Sequence, residues 1–158
     1  MATIQPQAIE IITPQKGVFI AYTEAASATF KRGELVAFSS GKIAALSGTD
    51  PTMASIVGIA MHDASGVTDD PVTVFVPDVD AIFSANLDPG SVTAVTDIGV
   101  RYGLEENSNI VNVDKTDTTN ERVVVVALDK RDAVGDTQGR VWFKFLNDPM
   151  ALTSNRLA

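Results

Sequence analysis

An all-β protein is what this sequence predicts, on three observations. Short runs rich in β-branched and aromatic residues recur along the whole chain. Clusters of Gly, Pro, Asp, Asn and Ser separate them. Helical periodicity is nearly absent, and its best candidate, EAASATF at 24–30, is long enough for one turn or a loop only.

The expected strands are 9–13, 17–22, 35–39, 42–45, 56–61, 72–77, 81–85, 91–95, 99–104, 110–113, 122–128 and 140–145. Strands so closely spaced point to a sandwich, barrel or related module rather than to α/β layering. Turn chemistry supports the spacing. Ser39-Ser40-Gly41-Lys42 places a Gly between two apolar runs, as a tight hairpin needs. Asp88-Pro89-Gly90 has Pro and Gly where a type II turn wants them. Further reversals are expected at Gly33 and between Gly135 and Gly139.

Alternation assigns faces in two strands. Val72, Val74 and Val76 point one way, opposite Thr73 and Phe75, and the valines and phenylalanines are expected in the core. Val141, Phe143 and Phe145 share a second core-facing side. Trp142 stands on the reverse side, as a partly exposed packing residue or as an interface anchor. The run from Val123 to Leu128 does not alternate. It reads as a strand dry on both faces, central in a sheet or covered by another subunit, which makes Val124 and Val126 interface candidates together with Trp142.

The organisation expected is an extended arm over 1–16, a first β module over 17–88, and a second β-rich part over 89–158 sharing one core with the first. The arm has Pro6 and Pro14 around a short β-branched run. Such a segment either packs on its own chain, lies loose, or adds a strand to a neighbour's sheet edge.

Charge narrows the partners. The chain of 158 residues carries a formal charge of −8, and residues 43–100 hold eight aspartates with no Lys or Arg. Everything outside that segment balances, so the centre carries the net charge. A nucleic-acid backbone would be repelled, and a solvated acidic surface is the expectation. There is no cysteine, hence no disulfide or thiolate chemistry. No basic start leads into an apolar run, and nothing approaches the ~20 apolar residues that span a bilayer, so a soluble, unsecreted protein without membrane contact is expected.

Chemistry-bearing motifs are scarce. The single histidine, His62, lies beside Asp63 and Ser65, but neighbours on an extended chain point to opposite faces and do not make a triad. Nucleophile elbows, phosphate-binding glycine loops and paired-histidine motifs are lacking. Asp114, Asp117 and Asn120 lack calcium-loop spacing and read as turn formers bonding nearby backbone. Asp129-Lys130-Arg131-Asp132 alternates in sign and can pair internally or across an interface. The expectation is a protein with no catalytic residue, no metal and no cofactor.

The stretch FKRGELVAFSSGKIAALSGTDPTMASIVGIAMHDASG followed by DDPVTVFVPD resembles the capsid decoration (cement) proteins of tailed bacteriophages. Its elements are a Gly-introduced strand at 33–38, a hairpin strand at 41–45, the "VGIA" strand at 56–60, an acidic Ser-Gly loop at 62–70 and a Val-rich strand at 72–76. The part from DIGVRYG to RVWFKFL resembles the C-terminal half of longer virion proteins of this kind, and together the resemblance spans about residues 17 to 146. It implies a β-tulip-like module that binds the outer surface of an assembled capsid as a homotrimer and clamps neighbouring major capsid proteins. It also implies an arm reaching onto the shell, for which Ile4, Pro6, Ile9, Ile11, Ile12 and Pro14 are this chain's candidates by position. Competing readings are a head-fibre, tail or baseplate component, and a carbohydrate-binding β-sandwich.

Overall fold

A computed structural model describes residues 1–46, 56–78, 80–107 and 109–146, and in them the protein is all-β. Its strands are β1 (Glu10–Ile11), β2 (Gly17–Thr23), β3 (Leu35–Ser39), β4 (Lys42–Ala45), β5 (Gly58–Ala60), β6 (Pro71–Pro77), β7 (Phe83–Asn86), β8 (Arg101–Asn107), β9 (Ile110–Asp114), β10 (Val123–Leu128) and β11 (Arg140–Phe145). They form two antiparallel sheets. One has the order β1-β7-β11-β10-β8-β9, and the other β2-β6-β5-β3-β4, curled into a half-barrel.

The change of sheet falls between Pro77 and Phe83, so β7 belongs with the C-terminal strands rather than with residues 17–77. Local chemistry explains the tight connections. Ser40 and Gly41 both have positive φ (51° and 82°), the backbone of a type I′ turn, and Ser39 pairs with Lys42 around it. At 88–91, Gly90 has φ +88° and the Ser91 amide donates to the Asp88 carbonyl, closing the type II turn.

The main core lies between the sheets. Leu35, Ile56, Ile59 and Phe75 from the half-barrel meet Phe83, Leu104, Val123, Val125, Val141 and Phe143 from the larger sheet. A second cluster fills the half-barrel: Phe30, Val36, Ile43, Val57, Val72 and Val74. β6 therefore buries both faces. Its valines line the half-barrel while Phe75, on the opposite face, sits at the centre of the inter-sheet packing. Residues 24–30 are a loop. Glu24 is buried there, and both its carboxylate oxygens accept from Ser65 N–H and one from Gly66 N–H, so the side chain fastens two loops.

Three expectations need correction. The segment 91–95 is not a strand: Val92 forms one bridge to Thr137, and a single 3-10 turn follows at Val95–Asp97. Asp97 dictates this by accepting from the Ala94 amide at 2.8 Å and from the Tyr102 hydroxyl at 2.8 Å. β10 is an inner strand, but it is not dry on both faces. Val123 and Val125 are fully buried while Val124 and Val126 are half-buried. A β-bulge between Val125 and Ala127 resets the alternation, which is why an unbroken apolar run can serve a one-sided strand. The acidic centre is not wholly solvated either: Asp88 and Asp97 are buried in turns.

Candidate functional site

The arm is extended, and it lies along its own chain. Glu10 and Ile11 pair with Ser84 and Phe83, adding β1 to the edge of β7. Upstream, the Gln7 amide donates to Asn86 Oδ1 (3.0 Å), the Ile4 amide to the Thr137 carbonyl (2.8 Å) and the Ala2 amide to Asp136 Oδ1 (3.0 Å). Ile9 enters the main core and Ile11 packs against it. Ile4, Pro6 and Ile12 are half-buried, and Pro14 is exposed. Of the six arm candidates, Ile9 is the one whose side chain the chain's own core consumes.

Charged side chains lock this strand down. Asp129, almost fully buried, accepts from Arg131 Nε (2.8 Å) and Nη2, from Ser84 Oγ (2.9 Å) and from Trp142 Nε1 (3.2 Å). Arg131 also reaches Glu10 Oε1 at 2.7 Å. The Arg131 hydrogen bonds hold the Asp129 carboxyl far below the usual carboxylate range, burial notwithstanding. Asp132 pairs with Arg140 (2.6 Å), and that bond likewise lowers its pKa. The sign-alternating turn thus pairs internally and with the arm, and Trp142 is half-buried with its N–H donated to Asp129.

Between the arm and the two sheets runs an open groove of about 450 Å³. Ile11, Pro14, Phe19, Ile59 and Met61 give it apolar walls, with Arg32 at the rim. Arg131 and Arg140 also line it, but their guanidinium groups are matched by Asp129, Glu10 and Asp132. Ser84 lines it too, and its hydroxyl donates to Asp129.

His62 does not join Ser65. Its Nε2 accepts from the Thr73 amide (3.1 Å) and its Nδ1 lies 3.0 Å from the Asp63 carbonyl, so the ring caps β6 with its hydrogen on Nδ1. Ser65 Oγ donates to Asp70 instead (2.6 Å). Asp114 accepts from the Thr116 amide and hydroxyl, and Asp117 from the Thr119 and Asn120 amides, which makes both residues turn formers. Among the described residues no group of three or more His, Cys, Asp or Glu is placed to hold a metal ion. Asp50 lies outside the described residues.

Two features are not foreshadowed by the motifs of the sequence. Glu34 and Glu106 approach each other where the sheets join, and only the fold brings residues so distant together. Val18 and Phe19 are the other case, exposed on the long strand β2. Their signal was present in GVFIAYT, an apolar run without a charge or an alternating polar face. In comparisons with known proteins, no family model matches the chain and no curated protein matches it.

Proposed function

We propose that this chain is a structural virion protein that attaches to the outer surface of an assembled bacteriophage capsid and stabilises the shell by bridging neighbouring major capsid proteins. The observation that supports this reading is the coherence of the resembling stretch. Its strands, β3 to β6, are contiguous neighbours in one curled half-barrel built around their own apolar cluster. The polar groups around it are engaged in turns, caps and loop fastenings, as suits a passive scaffold.

The mechanism is adhesive. The outer side of the arm, with Ile4, Pro6, Ile12 and Pro14, and the groove beside it supply apolar contact. A homotrimer joined across the half-buried face of Val124 and Val126 would present three such surfaces at once. Linked attachment raises avidity by on the order of 100-fold without new chemistry. An acidic exterior suits a solvent-facing position and disfavours binding the packaged nucleic acid.

The test is to mix the purified protein with capsids that lack it and image the particles. Ordered density on the outer surface, repeating with the shell's symmetry, is the expected result. Binding to tails or glycans with no binding to heads would overturn the reading.

A further inference from the structure

Of the four sheet edges among the described residues, three are guarded. β1 is two residues long and carries the Glu10–Arg131 ion pair. β4 has Lys42 paired with Asp69 (2.7 Å), and Ile43 bridges to Glu24. β9 is bridged through Val113 to Leu87, and the Asp88 amide donates to the Val113 carbonyl. Short length, charge and bridging are the usual devices that keep an edge from pairing with another chain.

β2 has none of them. It is seven residues long with no charge and no proline, and β6 flanks it on one side only. The Asp78 amide bonds the Lys16 carbonyl and the Glu24 amide bonds the Asp70 carbonyl, so even-numbered residues of β2 face β6. By the antiparallel alternation, Gly17, Phe19 and Ala21 turn their N–H and C=O groups outward. The approach of β4 at Glu24 closes the far end, which leaves 17–21 open. The side chains add to this: Val18 and Phe19 are 55% and 52% exposed, the two most exposed large apolar residues within the described strands. Phe19 is also held in place, its ring 5.1 Å from Phe75, which in turn contacts Phe83 at 6.1 Å in the inter-sheet core.

We infer that this edge pairs with the same strand of a second copy, antiparallel about a two-fold axis at Phe19. The strand is complementary to itself. Pairing about Phe19 sets the two Phe19 rings opposite each other, with Gly17 of each copy facing Ala21 of the other. The small residues flank the rings and leave them room. On the reverse face Val18 meets Ile20, a β-branched pair suited to a sheet. Charge limits where two copies can meet. Two chains of −8 each repel over most of their surface, and 17–23 is a strip where they approach with no charged side chain. The joined half-barrels share one continuous sheet. The pairing does not depend on the capsid reading, because it is measured on the purified chain alone.

The test compares the mass of wild type, Phe19→Lys and Ala21→Pro by sedimentation over a range of concentrations. Phe19→Lys places two like charges directly opposite. Ala21→Pro removes an outward N–H and leaves the bonds to β6 in place. The wild-type particle should have twice the mass of either variant at high protein, and all three should share one circular-dichroism spectrum and a cooperative melt. Equal mass for wild type and folded variants overturns the inference. So does a wild type of single-copy mass whose Ala21→Pro form has lost capsid binding, since the edge then serves another protein.

Discussion

Glu34 and Glu106 bring their carboxyl groups together at the join between the two sheets. Glu34 is 1% exposed and accepts the Lys31 amide at 2.8 Å, and one Glu106 oxygen is buried with no hydrogen-bond partner among the described residues. Two carboxylates offer only acceptors, so the contact holds when one carries a proton. Burial first, then the hydrogen bond and charge of Glu34, push the Glu106 pKa up to about 8.

A pH dependence follows. A carboxyl whose pKa is raised on folding contributes stability that is fully present below its unfolded value, 4.5, and lost as pH rises to about 8. Relative to Glu106→Gln, the wild type should therefore lose stability between pH 4.5 and 8 and level off above. Urea unfolding of both proteins across that window measures the difference. Parallel curves would show that the pair does not share a proton.

Asp129 has the opposite sign. Its lowered pKa means that its stabilisation is present at neutral pH and lost only in strong acid. Asp129→Asn keeps the shape and breaks the charged bonds to Arg131, at a cost of about 1–3 kcal/mol. Tryptophan emission reports it directly, because Trp142 Nε1 donates to the same carboxylate.

Two glycines should separate backbone conformation from space. Gly41 has φ +82° and open space where a Cβ would go, so Gly41→Ala should cost about 1 kcal/mol, the left-handed penalty alone. At Gly58 an added Cβ would lie 2.2 Å from the Phe75 carbonyl oxygen, in the middle of the half-barrel. Gly58→Ala should cost about 3 kcal/mol or more, as overpacking against backbone does. Denaturant midpoints of the two variants give the comparison.

The arm can be divided by truncation. Removing residues 1–8 breaks the hydrogen bonds of Ala2, Ile4 and Gln7 and leaves Ile9 and β1. Removing 1–16 takes the buried Ile9 as well, worth about 2 kcal/mol of burial, and uncovers β7. The longer truncation should be the much less stable, and unfolding midpoints of the two forms test this. Comparable midpoints would mean that β1 contributes little to the fold.

What the sequence made legible was local. Ser40-Gly41 and Pro89-Gly90 announce their turns because positive φ or a fixed φ is needed there. The alternation of Val141, Phe143 and Phe145 marks the core face of β11, and all three are buried. What stayed hidden depends on tertiary partners. The bulge near Val126 leaves no mark in a row of valines, and Phe75 could not reveal that its strand has a core on each side. Asp88 and Asp97 looked like surface charge because their hydrogen-bond donors, Lys115 and Tyr102, come from other strands and turns. In the groove, the polar partners Glu10 and Arg131 are 121 residues apart.

The stitching of the first residues to the 136–137 turn bears on how the chain acquires its structure. Ala2 and Asp136 are 134 residues apart, and the Thr137 amide donates to the Ala2 carbonyl. During synthesis residues 2–4 find these partners only once the 136–137 turn has been made. Closing so long a loop slows folding, since the ordering cost precedes the contacts that reward it. Residues 2–4 are thus among the last to settle, and until then the flank of β7 stands uncovered on the nascent protein.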